Sequence, residues 1–417
     1  MEDIHQNVTT KPQDGFPRQQ KWVTASTAAG FTLENMDIMF LSFSLASIIA
    51  QLHISSGQAG LIGSLTNIGM LVRGAIFGIL GDRYGRVIIF SYTIFIFALA
   101  TAAMYFARSL PMIYLMRFLA GIGAGGEYGV GIALLAENFR ADQIGRMSSV
   151  AAIGGQVGAI FAALMAAVII PHFGWNALFL LGVIPVILTY FIRRHVHETP
   201  DFLAVKKQED SSDQKPSFKQ LFDTRHKALQ TLGLTVMTIV QIAGYFGLMN
   251  WLPVIVQKQQ GLSVSGSSLW MVSTILGMSI GMVAFGHLLD KFGPRLSFAI
   301  FLLGSASVMF AILFAKTNAV LLLIGAIIGF FSNGMFGGYG AVISRLYPTE
   351  IRSTANNVIM NVGRAIGGFS SVAIGLLMDH FNLSVTMGFL SALYIISFIV
   401  MMSLPGLRTL APHKARS

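Results

Sequence analysis

The sequence predicts an all-α membrane protein whose twelve transmembrane helices form two pseudo-symmetric six-helix bundles. Three observations carry the prediction. Of 417 residues, 54% are hydrophobic and only 11% are charged, whereas soluble domains carry about 25% charged residues. Apolar runs near the roughly 20 residues that a helix needs to cross a hydrocarbon core recur along the chain, about twelve in all, with one long polar break between them. A charged loop pattern in the first half returns half a chain later.

The runs fall at 22–49, 57–80, 87–107, 112–136, 147–170 and 175–194, then at 228–256, 264–289, 296–315, 320–344, 354–378 and 384–404, and are numbered spans 1 to 12. They divide the chain into a polar tail (1–21), a first bundle (22–194), a central polar loop (195–227), a second bundle (228–404) and a final tail (405–417). The first tail lacks the apolar core of a cleaved signal peptide. Cysteine is absent, which removes disulfides and cysteine-based metal sites from consideration.

The net charge of +10 could mark a nucleic-acid binder, but its placement argues against one. Apart from Arg193 and Arg194, which end span 6 where it meets the central loop, the spans hold only Arg73, Arg117 and Arg364, and the loops after odd-numbered spans hold only Arg108, Lys258 and Lys316. Every other Lys and Arg lies in the tails, the central loop or the loops after spans 2, 4, 8 and 10. Cytoplasmic loops are the ones enriched in Lys and Arg, so both termini and the central loop are expected in the cytoplasm. The basic balance is a topology signal and implies no nucleic-acid partner.

Span 4 is the most informative element. MIYLMRFLAGIGAGGEYGVGIALLA (112–136) is long enough to cross the bilayer, yet it contains Arg117 and Glu127. A charge at the bilayer centre costs about 2.5–3.5 kcal/mol or more, so both must face protein or water. Glycines at 121, 123, 125, 126, 129 and 131 leave a surface on which a neighbouring helix or a ligand can approach the backbone.

Span 1 supplies acids to match. Glu34 and Asp37 share one face, and span 1 runs opposite to span 4, so Asp37 and Arg117 reach similar depths. A desolvated carboxylate holds its proton more tightly without a neighbouring cation than with one. A pair that breaks and re-forms therefore loads and releases a proton; a pair that never breaks only fixes helix packing. Glu127 lies about 15 Å further toward the cytoplasm, where it either pairs with Arg73 or keeps an inner cavity charged. On span 11, Asn357, Asn361 and Arg364 form one polar stripe, and a fixed guanidinium suits a carboxylate. Gln241, Tyr245, Asn250 and Trp251 on span 7, with Asn333 and Tyr339 on span 10, are further candidate pocket residues. No metal-binding or nucleophilic constellation is present, so neither an enzyme nor a metal site is expected.

The loops give the repeat. Gly78-Ile-Leu-Gly-Asp82-Arg83-Tyr-Gly85-Arg86 follows span 2, and Gly286-His-Leu-Leu-Asp290-Lys291-Phe-Gly293-Pro-Arg295 follows span 8. Glu137…Gly145-Arg146 after span 4 is matched by Glu350-Ile-Arg352 after span 10. With these loops and Arg117-Phe-Leu-Ala-Gly121-Ile-Gly123, the whole chain resembles the major facilitator superfamily. The resemblance implies a cytoplasmic gate of Asp82, Arg83, Arg86, Glu137 and Arg146 in one half. In the other half it implies Asp290, Lys291, Arg295, Glu350 and Arg352.

Within that superfamily, Glu34-Asn-Met-Asp37, Gly125-Gly126-Glu127, Tyr245-Phe-Gly…Trp251-Leu-Pro253, Tyr347-Pro-Thr-Glu-Ile-Arg352 and Gly363-Arg364 resemble bacterial proton-linked carriers of aromatic acids, niacin and other organic anions. These are relatives of the sugar-porter branch, whose paired span 7 glutamines are missing here. The resemblance implies proton coupling through Asp37, Glu34, Arg117 and Glu127, driven by the proton gradient with no cofactor. It also implies a small organic anion as substrate and a monomer in the bilayer. A neutral sugar or polyol carrier, a drug or metabolite efflux pump and a transporter-like sensor are the competing readings.

Overall fold

The computed structural model describes residues 17–84, 86–124, 141–184, 187, 218–315 and 317–409. All regular structure among them is helical. Eight of these helices are long and apolar enough to cross a membrane, and they fall on spans 1, 5 and 7 to 12. Span 2 is the helix Ser56–Tyr84, spans 3 and 4 begin as Arg86–Ala103 and Leu110–Gly123, and span 6 is described through its first turns, Trp175–Val183. Leu99, Ile280, Leu323 and Ile399 are among many large apolar side chains left exposed. A soluble protein would not sustain such a surface, and a lipid-facing one requires it.

Short connections make consecutive spans antiparallel, and the caps are written into them. Thr224, Ser263, Thr317 and Asn382 each accept a hydrogen bond from the backbone N–H three residues on, starting spans 7, 8, 10 and 12. Such side chains satisfy one of the orphan donors at a helix start. Gly261 ends span 7 in the left-handed region at φ 64°, the conformation glycine adopts without cost. Span 1 starts earlier than its apolar run, at Pro17, because the polar Arg18–Lys21 segment continues the helix outside the hydrocarbon zone. The end that carries the tails and central loop is the tail side; the opposite end is the far side.

The two halves are built alike. Spans 1 and 5, 2 and 4, and 3 with the start of 6 pack together in the first; spans 7 and 11, 8 and 10, and 9 and 12 pack together in the second. Glycine sets the closest approaches. A Cβ on Gly69 of span 2 would lie 2.3 Å from the Phe118 carbonyl oxygen of span 4, and one on Gly121 would lie 2.1 Å from the Thr66 carbonyl oxygen. Gly277 of span 8 and Gly329 of span 10 repeat this arrangement against Ala326 and Thr274, at the spacing that separates Asp82 from Asp290.

Between the halves, span 2 packs on span 11, span 5 on span 8 and span 1 on span 7. Several cross-half bonds lie near the midplane or toward the far side. Ser64 Oγ donates to the Gly368 carbonyl at 2.9 Å, Ser265 Oγ donates to that of Ala167 at 2.6 Å, and Ser42 Oγ donates to that of Met249. Spans 10 and 11 are each broken near mid-membrane, at Met335 and at Gly368-Phe369. Broken helices at that depth are how transporter folds free backbone to line a site.

Candidate functional site

A fully buried ion pair ties four spans of the first half together. Arg117 Nη1 donates to Asp37 Oδ1 at 2.9 Å and Nη2 to Oδ2 at 2.8 Å, the two-pronged geometry a guanidinium offers a carboxylate. Arg117 Nε donates to Thr66 Oγ1 of span 2 at 3.2 Å, and Thr101 Oγ1 of span 3 donates to Asp37 Oδ1 at 3.0 Å. Exposure is 2% for Asp37 and 1% for Arg117. The glycine contact between Gly121 and Thr66 brings span 4 close enough for this geometry. Beside Arg117 and Thr66 lies a void of about 10 Å³ bounded by Ile38, Leu41, Gly63, Phe246 and Asn250, roughly the space of a single water.

The sequence pairs Asp37 with Arg117 but does not reveal Thr66 or Thr101. Their signal is faint: Thr101 is a hydroxyl within the otherwise apolar run Ile94–Ala103. Thr101→Val keeps the branched shape and deletes one hydrogen bond to a charged group, worth about 1.5–3 kcal/mol. We expect a lower melting temperature in detergent, largely restored by Thr101→Ser.

The second half contributes a more open surface. Asn357 and Asn361 are exposed, and Arg364 is half-buried on the same face of span 11. One turn further, Gly368 meets Asn67 of span 2, where a Cβ would lie 2.7 Å from Asn67 Cβ. The stripe therefore faces the first half and opens toward the tail side. Tyr245 is half-buried, feels the charges of both Glu34 and Arg364, and reaches across the halves to Asn35 Oδ1 at 3.5 Å. Glu34, Tyr245 and Arg364 thus share one mid-membrane neighbourhood. Asn67 Oδ1 is buried without a hydrogen-bond partner.

Other candidates are placed differently. Trp251 is fully buried and its Nε1 donates to the Ser371 carbonyl at 3.0 Å, so it packs span 7 on span 11 and does not face Tyr245. Six residues of helix set the two side chains about 120° apart around the axis. Tyr339 is also buried, donating to the Met237 carbonyl at 3.3 Å and packing edge-on against Phe298. Gln241 Nε2 bridges the Ser332 carbonyl and Asn333 Oδ1, at 3.0 and 3.3 Å. Asn250 Nδ2 donates to Ser371 Oγ at 2.8 Å while bordering the void beside Arg117.

In the expected gate, the described partner of Asp290 is Arg345 at 3.4 Å, within its own half. Arg295 donates to the Met402 carbonyl at 3.2 Å, and Lys291 lies 5.2 Å from the Phe292 ring. Glu127 and Glu137 lie outside the described residues, as do the side chains of Arg73, Asp82, Arg83, Arg86, Arg146, Glu350 and Arg352.

Known proteins share this architecture. The family model described as Major Facilitator Superfamily matches residues 27–369 and 234–416. A metabolite transport protein of Haemophilus influenzae is 38% identical over 377 residues, covering 89% of this chain and 93% of that protein. The cis,cis-muconate transport protein of Acinetobacter baylyi is 30% identical over 377 residues, covering 88% and 90%. The crystal structure of a D-xylose-proton symporter superposes with a TM-score of 0.78 at 18% identity, covering 94% of this chain and 98% of that one.

Proposed function

The chain belongs to the Major Facilitator Superfamily, and from that premise we propose that it is a proton-coupled symporter that imports a small organic anion by alternating access. The superfamily consists of transporters, so the chain is a multi-pass membrane transporter and not an enzyme. The finer reading rests chiefly on one observation: a bidentate Asp37–Arg117 pair buried in one half, set opposite a half-exposed Arg364 in the other. The first offers an acid that a proton can neutralise; the second offers a fixed cation for a carboxylate. Similarity to a muconate transport protein, whose substrate is a carboxylate, supports the anion over a neutral sugar.

In this reading, anion and proton enter from the far side while the halves are apart there. Protonation releases Asp37 from Arg117, and loss of that tie lets the first half re-pack against the second. Until that release the pair and its two threonines link spans 1, 2, 3 and 4; after it, Thr101 stays with Asp37 and Thr66 with Arg117. The positive-inside distribution supports a tail side, with both termini and the exposed Asn357–Asn361 stripe, that faces the cytoplasm of a bacterial inner membrane.

The test uses purified protein in proteoliposomes with an imposed proton gradient. Radiolabelled muconate, benzoate, nicotinate and xylose serve as probes, with uptake and counterflow both measured. Gradient-driven accumulation of a carboxylate but not of xylose is expected. Accumulation of xylose alone would establish the sugar reading, and binding without counterflow would make the protein a sensor.

A further inference from the structure

On the far side, the last turn of span 11 lies on the first turn of span 2, and Asp379 is at the contact. Its Oδ1 accepts from the Ser56 N–H at 3.0 Å and its Oδ2 from the Gly57 N–H at 2.8 Å. The first backbone N–H groups of a helix have no partner within it, and here each can be traced. Ser55 Oγ accepts from the Gln58 N–H at 3.1 Å while Gln58 Oε1 accepts from the Ser55 N–H at 3.0 Å, a reciprocal capping box. That leaves the Ser56 and Gly57 N–H groups, and both are taken by a carboxylate 323 residues away from Ser56, in the other half of the molecule.

The surroundings enforce the approach. A Cβ on Gly60 would lie 2.2 Å from the Ser371 carbonyl oxygen, and one on Gly375 would lie 2.3 Å from that of Ser56. Backbone meets backbone over two turns, which places Asp379 directly above the end of span 2. Lys258, at the far end of span 7, adds an attractive charge to the same carboxylate. The negative charge also complements the partial positive charge of a helix N-terminus.

We infer that Asp379 is a far-side latch: its carboxylate caps span 2 only while the two halves are closed there, and so sets how often that side opens. The inference rests on the alternating-access reading. Asp379 is exposed, so when the halves part, water replaces both partners at little cost. Such a contact biases an equilibrium between two states without locking it. An interaction of this type shifts a two-state population by roughly fivefold.

The absence of native cysteine makes a direct test available. Ser64 is buried between spans 2 and 11, bonded to Gly368. Ser64→Cys therefore meets a membrane-impermeant maleimide, applied to the outer face of intact cells, only when the far side opens. Adding Asp379→Asn, which keeps the shape and removes the charge, should raise the labelling rate about fivefold. Gln58→Ala, which breaks the capping box inside the first half alone, should leave the rate near that of the parent.

Equal labelling with and without Asp379→Asn, at matched expression, overturns the latch and leaves alternating access standing. A rise with Gln58→Ala as large as with Asp379→Asn also overturns it, since simple fraying of span 2 then suffices. If Ser64→Cys in the otherwise native chain never labels, with or without a transported carboxylate, the far side does not open. Both the latch and alternating access then fall.

Discussion

Asp37→Asn is expected to abolish uphill, gradient-driven uptake while leaving counterflow exchange measurable. Asparagine keeps the shape of the side chain but cannot take up and release a proton. The imposed gradient then has no hold on the cycle, and the ratio of internal to external substrate should fall to about one. Removing one partner of a buried ion pair costs about 3–5 kcal/mol in general, because the other charge is left uncompensated. Exchange in the same vesicles therefore serves as the check that the variant is folded and inserted. Persistent accumulation against a gradient would make the Asp37–Arg117 pair a static tie between spans 1 and 4. The proton carrier would then have to be sought elsewhere, with Glu34 and Glu127 next in line.

Arg364→Ala is expected to weaken binding of an anionic substrate by ten- to over a hundredfold. The loss of one charge-assisted hydrogen bond costs about 1.5–3 kcal/mol, which converts to that range. Arg364→Lys should lose nearly as much, since an ammonium does not reproduce the two-pronged contact of a guanidinium. The informative comparison is between a carboxylate and its neutral amide, measured by thermal shift or calorimetry on purified protein. The amide should bind poorly to the parent and lose little more in the variant. Equal losses for acid and amide would show that Arg364 acts by holding span 11 in place. Its half-exposure beside Tyr245 and Glu34 favours the direct contact.

Much of this was legible in one dimension. The bilayer admits few solutions, so twelve apolar runs, a biased distribution of Lys and Arg and a repeated loop were enough for the class and the architecture. Asp37 and Arg117 could be matched because each was too costly to leave alone and their depths agreed. What residues far apart in sequence do when helices rotate against one another was not legible. Helical periodicity tells which residues share a face, but not which neighbour that face meets. Trp251 and Tyr245 are both candidate pocket residues by sequence, yet packing turns Trp251 onto the Ser371 carbonyl. Asp290 found Arg345 across two span ends, Thr101 and Thr66 completed the buried pair, and Asp379 closed on span 2. The Thr66 and Asp379 contacts depend on glycines that let helices approach to backbone distance, so only the packed helices decide which polar groups come within hydrogen-bonding reach.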